Sequence, residues 1–417
     1  MRNRALTTLV AAMALSSAPL HAEGFDPDKV EGSITFYTHF NQFVDDGRWD
    51  VWSKAFSEAH PGAEVEVVPV SGYRKDMPTR IASGDYGDVL NVLDNLPPGD
   101  YEKFYLPMNG MDMAEHHQFV DRYTVDGNVY GFVYGVNAEA VVYNKLAFEK
   151  AGIETIPTTR TELFEACEKL KQADITPLAI NMGAGWPMQQ WDKAALLFAD
   201  DGNYYEAMLE EPAPYSVGQP YGDTFRYVKD LFEAGCTERD YTANNWDQSR
   251  TLLGIGEIGM WFLANWSIPQ AIAQAELLGI DARADLGMFP LPIDDDGEPS
   301  VLLNPDWAIG VASNTDNPDT AKAWVAFLLT QTDVANAAGF IPGDTRIEPA
   351  MPQLQELLDR DPPLIESGTP STEFKQAMAD ARLDFMTGTY IRDVILAGDF
   401  DAALEGLNER WGRAITR

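Results

Sequence analysis

The chain has 417 residues, 45% of them apolar, with 65 acidic against 30 basic side chains and a formal charge of −35. That length supports two sizeable cores rather than one, and so negative a chain is repelled by a nucleic-acid duplex or an anionic membrane surface. An anionic small ligand would need a locally basic pocket, and the acidity itself reads as adaptation to a salty medium that screens self-repulsion.

Residues 1–22 read as a secretory leader. Arg2 and Arg4 make a basic start, an apolar run reaches about Leu15, and the small residues up to Ala22 offer a cleavage site before Glu23. The run is too short to span a bilayer, and no later segment offers 18 apolar residues without charge. No Cys follows the cut, so the mature protein is expected in a periplasm, soluble and without a lipid anchor.

Next come a strand over 33–38, a loop with Phe40-Asn41-Gln42, a helix over 49–60 and a strand over 64–70. A helix over 74–82 and a short buried strand over 88–93 continue the strand–helix repetition of a mostly parallel sheet covered on both faces. Residues 130–136 and 140–143 are extended with no long helix between them, which fits a crossing between lobes. Thr159 and Glu162 have capping-box spacing, and Leu163, Phe164, Cys167 and Leu170 give the following helix its apolar face. A strand over 175–180 follows, then helices over 190–199, 222–234 and 266–278. Extended segments at 286–290 and 307–311 precede a helix opened by Asn317-Pro318. Beyond about Asp344 the chain reads as helical throughout.

Several motifs point away from chemistry. Gly254-Ile255-Gly256-Glu257-Ile258-Gly259 spells G-x-G-x-x-G but lacks a preceding strand, so it reads as a helix-to-strand turn. Asp294-Asp295-Asp296-Gly297-Glu298 lacks the alternating ligands of a calcium loop and reads as a solvated hairpin turn. His116-His117 reads as a surface turn, and Cys167 and Cys236 as two buried thiols rather than a bridge, although export permits one. No metal or cofactor site is expected.

Aromatic residues are the informative excess: ten Trp, sixteen Tyr and twenty Phe. Trp186, Trp246, Trp266 and Trp307 stand beside Asn, Asp or Gly in loop-like contexts. An indole can stack on the C–H face of a sugar while amides and carboxylates bond its hydroxyl rim. Core packing is the alternative reading for about half of the tryptophans.

The segment Tyr134-Gly135-Val136-Asn137 through Tyr143-Asn144-Lys145 resembles the extracellular sugar-binding proteins of ABC importers, the maltose-binding-like class. The resemblance continues through Gly152-Ile153, Pro157-Thr158-Thr159-Arg160-Thr161-Glu162, Ile175-Thr176-Pro177-Leu178, Gly256-Glu257-Ile258-Gly259-Met260 and Gly339-Phe340-Ile341-Pro342. Arg160 stands where the family usually has Trp, and Gly259 and Asn265 depart from its usual small residues. The resemblance implies a periplasmic-binding-protein-like type II fold: two α/β lobes, a hinge and a ligand cleft between them. The lobes are expected over 23–137 plus about 286–340, and over 138–285 plus about 341–417. It further implies ligand contacts at Phe40, Asn41, Gln42, Asp94, Asn95, Asn137, Trp186, Trp246, Trp266, Asp306 and Trp307, with Arg346 a further candidate.

The function so implied is capture of a neutral mono- or oligosaccharide by a monomer and its delivery to the membrane permease, without catalysis, cofactor or nucleic acid. Three rivals stay open: capture of an osmolyte or other quaternary ammonium ligand in an aromatic cage, an exported glycoside-cleaving enzyme with paired carboxylates, and a structural surface protein.

Overall fold

The computed structural model describes residues 25–93, 96–385 and 388–416. The expected leader and the candidates Asp94 and Asn95 lie outside the described residues. No helix among them is long and apolar enough to cross a membrane.

Two sheets organise the chain. The first runs in the order Ala63–Pro69, Gly32–Thr38, Val89–Asn91, Ala308–Ala312, Tyr105–Leu106, with Phe132–Val133 also pairing Ala308–Ala312. Its first three strands are parallel, joined by the helices Arg48–Ala59 and Tyr73–Ser83, while Ala308–Ala312 enters antiparallel from the other lobe. The second sheet centres on Gly135–Asn144, whose ten residues are all buried. Every backbone group of such a strand needs a partner inside the protein, and strands cover both of its edges. Val301–Pro305 and Leu286–Phe289 lie on one side along its length; Ile258–Ala264 and Ile341–Pro342 share the other pairings, all antiparallel.

This pairing corrects two expectations. The segment from residue 286 to the crossing does not belong to the first lobe, because Leu286–Phe289 and Val301–Pro305 complete the second sheet. The chain returns to the first lobe only between Pro305 and Ala308. Nor is the C-terminal part helical throughout: Leu364–Glu366 adds a parallel edge strand beside Val301–Pro305.

The lobes join where three segments cross. Tyr134 N–H donates to Trp307 C=O at 3.0 Å, Asp306 N–H to Gly135 C=O at 2.9 Å, and Gly343 N–H to Tyr134 C=O at 3.4 Å. A Cβ at Gly135 would stand 2.4 Å from Phe340 Cβ and 2.5 Å from Ile341 C=O, so only glycine lets these strands approach. Asn265, fully buried, clips the same region: its Oδ1 accepts from Ala138 N–H and its Nδ2 donates to Gly339 C=O, each at 2.6 Å. Its departure from the family pattern thus serves the joint. Gly259 serves packing, since a Cβ there would meet Leu170 at 2.6 Å.

Local signals explain much of the rest. Thr159 and Glu162 form the capping box of the helix Arg160–Gln172, and Arg160 pairs with Asp230 while covering the Phe164 and Tyr227 rings. Cys167 and Cys236 are buried free thiols. The helix Trp246–Gly254 turns through Gly256, with φ +79°, into Ile258–Ala264, as the glycine-rich stretch suggests. The acidic turn is more than solvated chain: Asp294 C=O accepts from Arg160 N–H and Asp295 Oδ1 from Thr161 N–H at 2.8 Å, so it caps a helix N-terminus. His117 is a correction too. It is buried, bridges to the Asp344 backbone and places Nε2 2.7 Å from Val133 C=O.

Candidate functional site

Between the sheets lies a cavity of about 300 Å³, at the lower end of the range for small-molecule sites. The crossing contributes Pro305, Asp306 and Trp307, and the first lobe Arg74, Tyr101, Arg122 and Tyr123. On the opposite wall the helix Gln189–Ala199 presents Gln189, Asp192, Lys193 and Leu196, which share one helical face, together with Gln190 at its flank. The loop after Leu364–Glu366 closes the rim with Ser367, Gly368 and Thr369.

Four expected contacts line this cavity: Asn137, Trp266, Asp306 and Trp307. Asn137 sits at the start of the long central strand, opposite Asn304, and donates from Nδ2 to Asp306 Oδ2 at 3.1 Å. Its Oδ1 is buried and has no partner among the described residues, as is true of Gln190 Oε1. Such acceptors cost free energy until a donor reaches them. Trp307 carries the Arg74 guanidinium 4.7 Å from its ring centre and has His39 at 5.6 Å, so it enters the site already flanked.

Other expected contacts lie elsewhere. Phe40 is a core residue, 3% exposed and packed on Phe43, Tyr134 and Phe340. Asn41 bonds the His39 carbonyl, and Gln42 is exposed at the start of a helical turn. Trp186 and Trp246 pack edge-to-face at 4.5 Å and stand 6.1 and 6.0 Å from Trp266. They buttress the tryptophan that lines the cavity and do not line it themselves. Arg346 is held by Asp344 and Asp112, and its hydrogen bonds keep the Asp344 carboxyl below the usual carboxylate range.

Charge in the site is arranged against the trend of the chain. Four basic side chains and two acidic ones line the cavity, whereas acids outnumber bases two to one overall. Lys193, however, is matched by Glu139, with Nζ and Oε1 2.5 Å apart and Glu139 fully buried. Burial pushes the Glu139 carboxyl up and Lys193 pulls it back. Asp192, 1% exposed, accepts at Oδ1 from the Tyr221 hydroxyl at 3.2 Å and from the Tyr390 hydroxyl. His39, wedged between Phe40 and Trp307, is lowered to about 3 by burial and by the nearby Arg74 charge.

Arg122 spans the cleft. From the first lobe its Nε donates to Thr369 Oγ1 at 2.9 Å and its Nη2 to Gly368 C=O at 2.7 Å on the second. Removing it deprives this arrangement of the lobes of two bonds across the cleft while leaving both cores intact. Arg122→Ala should therefore favour the open form by about 1 kcal/mol and weaken ligand binding about fivefold. A small-angle scattering radius for the ligand-free variant equal to that of the wild type would refute this latch.

The wall Gln189–Lys193, Arg122 and Ser367–Thr369 carried no signal in the sequence beyond polar residues on an amphipathic helix and in loops.

A family model described as bacterial extracellular solute-binding protein matches residues 40–335. The chain is 24% identical over 298 residues to an uncharacterized ABC transporter extracellular-binding protein of Pyrococcus horikoshii, covering 68% of this chain and 64% of that one. It is 21% identical over 286 residues to the multiple sugar-binding protein of Streptococcus mutans, covering 66% of each. Both matches thus span just under two thirds of these relatives. In structure it resembles a manno-oligosaccharide specific solute binding protein of Bifidobacterium animalis subsp. lactis, solved with mannotriose: the TM-score is 0.81 at 23% identity, over 94% of this chain and 96% of the other. Two α/β lobes in the strand order described are the periplasmic-binding-protein-like architecture. The chain therefore belongs to the bacterial extracellular solute-binding proteins, a family of binding proteins and not of enzymes.

Proposed function

We propose that the protein captures a neutral mono- or oligosaccharide in the periplasm, as a monomer, and delivers it to the permease of an ABC importer. The observation that carries this reading is the cavity between the lobes, where indoles meet amide oxygens that have no partner among the described residues. Trp266 and Trp307 offer ring surface, while Asn137 Oδ1 and Gln190 Oε1 await donors. A polyol supplies both an apolar C–H face and hydroxyl donors. The sugars named for the Streptococcus and Bifidobacterium proteins point the same way. Closure on the ligand would then shift an open population toward the closed form.

The quaternary ammonium reading is weaker on electrostatic grounds. A guanidinium already stands over Trp307, and a second cation brought there would be repelled.

Calorimetric titration with mannobiose, mannotriose, raffinose, digalacturonate and glycine betaine separates these readings. A neutral saccharide is expected to bind most tightly, and Trp266→Ala should weaken it by about 2 kcal/mol, roughly 30-fold. Binding of betaine or the uronate alone would overturn the neutral-sugar reading, and unchanged affinity in the variant would remove Trp266 from the site.

A further inference from the structure

Asp192 is the one acid on the helical wall of the cleft, and its two carboxyl oxygens have different surroundings. Oδ1 accepts from the Tyr221 and Tyr390 hydroxyls, and the Asp192 backbone carbonyl accepts from Tyr205 at 3.4 Å. Oδ2 is buried and has no hydrogen-bond partner among the described residues. The cation next to it in sequence, Lys193, is turned to Glu139. We propose that Asp192 meets the bound saccharide as a neutral carboxylic acid, donating a hydrogen bond from Oδ2 to a ring, glycosidic or hydroxyl oxygen. This deepens the saccharide reading above and rests on it.

The geometry fixes which oxygen bears the proton. Two hydroxyl donors occupy Oδ1, so a proton on that atom would oppose both, while Oδ2 is unoccupied. A charged carboxylate here would instead leave a buried anionic oxygen unbonded, which is costly. The hydroxyls of Tyr221 and Tyr390 and the charge of Lys193 favour the carboxylate, but burial among these phenols and those of Tyr205 and Tyr215, with Asp384 repelling, outweighs them. Glu139 and Arg122 act on the neighbouring Tyr205, and Lys375 lines the same cavity. Burial accordingly pushes the Asp192 carboxyl well above the usual carboxylate range, against the opposing hydrogen bonds from Tyr390 and Tyr221. Protonated acids kept neutral by an apolar site are known to serve as donors. For a saccharide this makes Asp192 a specificity residue that requires an acceptor oxygen at one position of the ring.

Asparagine tests the claim sharply. In Asp192→Asn the tyrosines orient the amide carbonyl toward themselves, which leaves the NH2 group as a donor where the acid O–H stood. With mannotriose, or whichever saccharide of the panel binds most tightly, Asp192→Asn should keep affinity within about threefold at pH 7. Asp192→Ala should lose about tenfold or more. An infrared difference spectrum of ligand-free wild type minus Asp192→Asn at pH 7 should show the carbonyl stretch of a protonated carboxylic acid. An absent band, an asparagine variant as weak as the alanine variant, or an alanine variant that binds normally while melting lower would each overturn the proposal. If no saccharide binds the wild type, the saccharide reading itself fails and the inference falls with it, whatever the spectrum shows.

Discussion

Lys193→Met is expected to destabilise the protein by about 3–5 kcal/mol at pH 7, the usual consequence of removing one partner of a buried ion pair. Glu139 lies in the centre of the second sheet, fully buried, with Ala264 and Leu302 paired across from it. Its Oε1 is bonded to Lys193 and its Oε2 has no partner among the described residues. Without the ammonium, the carboxylate faces burial uncompensated or must take up a proton. Replacing both members, as Glu139→Leu with Lys193→Met, removes the charge altogether and should recover most of the loss. Urea denaturation of the three proteins provides the measurement. A single variant within about 1 kcal/mol of the wild type would show that the pair contributes little, and a double variant as weak as the single would show that something other than the orphaned charge is responsible.

The second large effect lies in acid. His117 is lowered to about 4, chiefly by burial, and His39 to about 3 by burial and then by Arg74. Both are therefore neutral when folded, yet each would take up a proton near pH 6.5 when unfolded. Between about pH 6.5 and 4 the unfolded state binds more protons at these sites. Stability present above pH 6.5 is thus lost as pH falls, by about 1.4 kcal/mol per pH unit for each histidine. Asp192 and Glu139 have raised carboxyls and work in the opposite direction over the same window. The informative quantity is therefore the difference between the wild type and the variants His39→Gln and His117→Gln. That difference should shrink steadily from pH 6.5 to 4, and a pH-independent gap would refute the assignment. The local bonds are consistent with neutral rings. Asn91 Nδ2 lies 2.7 Å from His39 Nδ1 while Asn91 Oδ1 accepts from Tyr134, so Nδ1 is the unprotonated nitrogen.

What was legible in the chain was what short-range chemistry encodes. The capping box at Thr159 and Glu162, the strand at 33–38 and the glycine turn at 254–259 each depend on neighbours in sequence, and each appears in the structure. Sheet membership was harder. Leu286–Phe289 and Val301–Pro305 are apolar strands that could cover either lobe, and only the need of the buried Gly135–Asn144 for partners on both edges decides between them. The tryptophans show the same limit. Trp246 and Trp266 have similar polar neighbours in sequence, yet one supports and the other lines the cavity. Gln190, Asp192 and Lys193 looked like part of an ordinary polar helix face, because nothing local reveals that a second lobe stands over it.

Asp306 and Trp307 occupy a double position: they line the cavity, and they are the two residues between Val301–Pro305 of one sheet and the returning strand Ala308–Ala312 of the other. Any replacement there alters recognition and the mechanics of the joint together, so such changes carry a compound penalty. Variation in what the protein prefers to carry has a freer route through the face of Gln189–Ala199, which belongs wholly to one rigid half. Divergence between relatives should therefore concentrate on that helix while the two-residue pivot changes slowly.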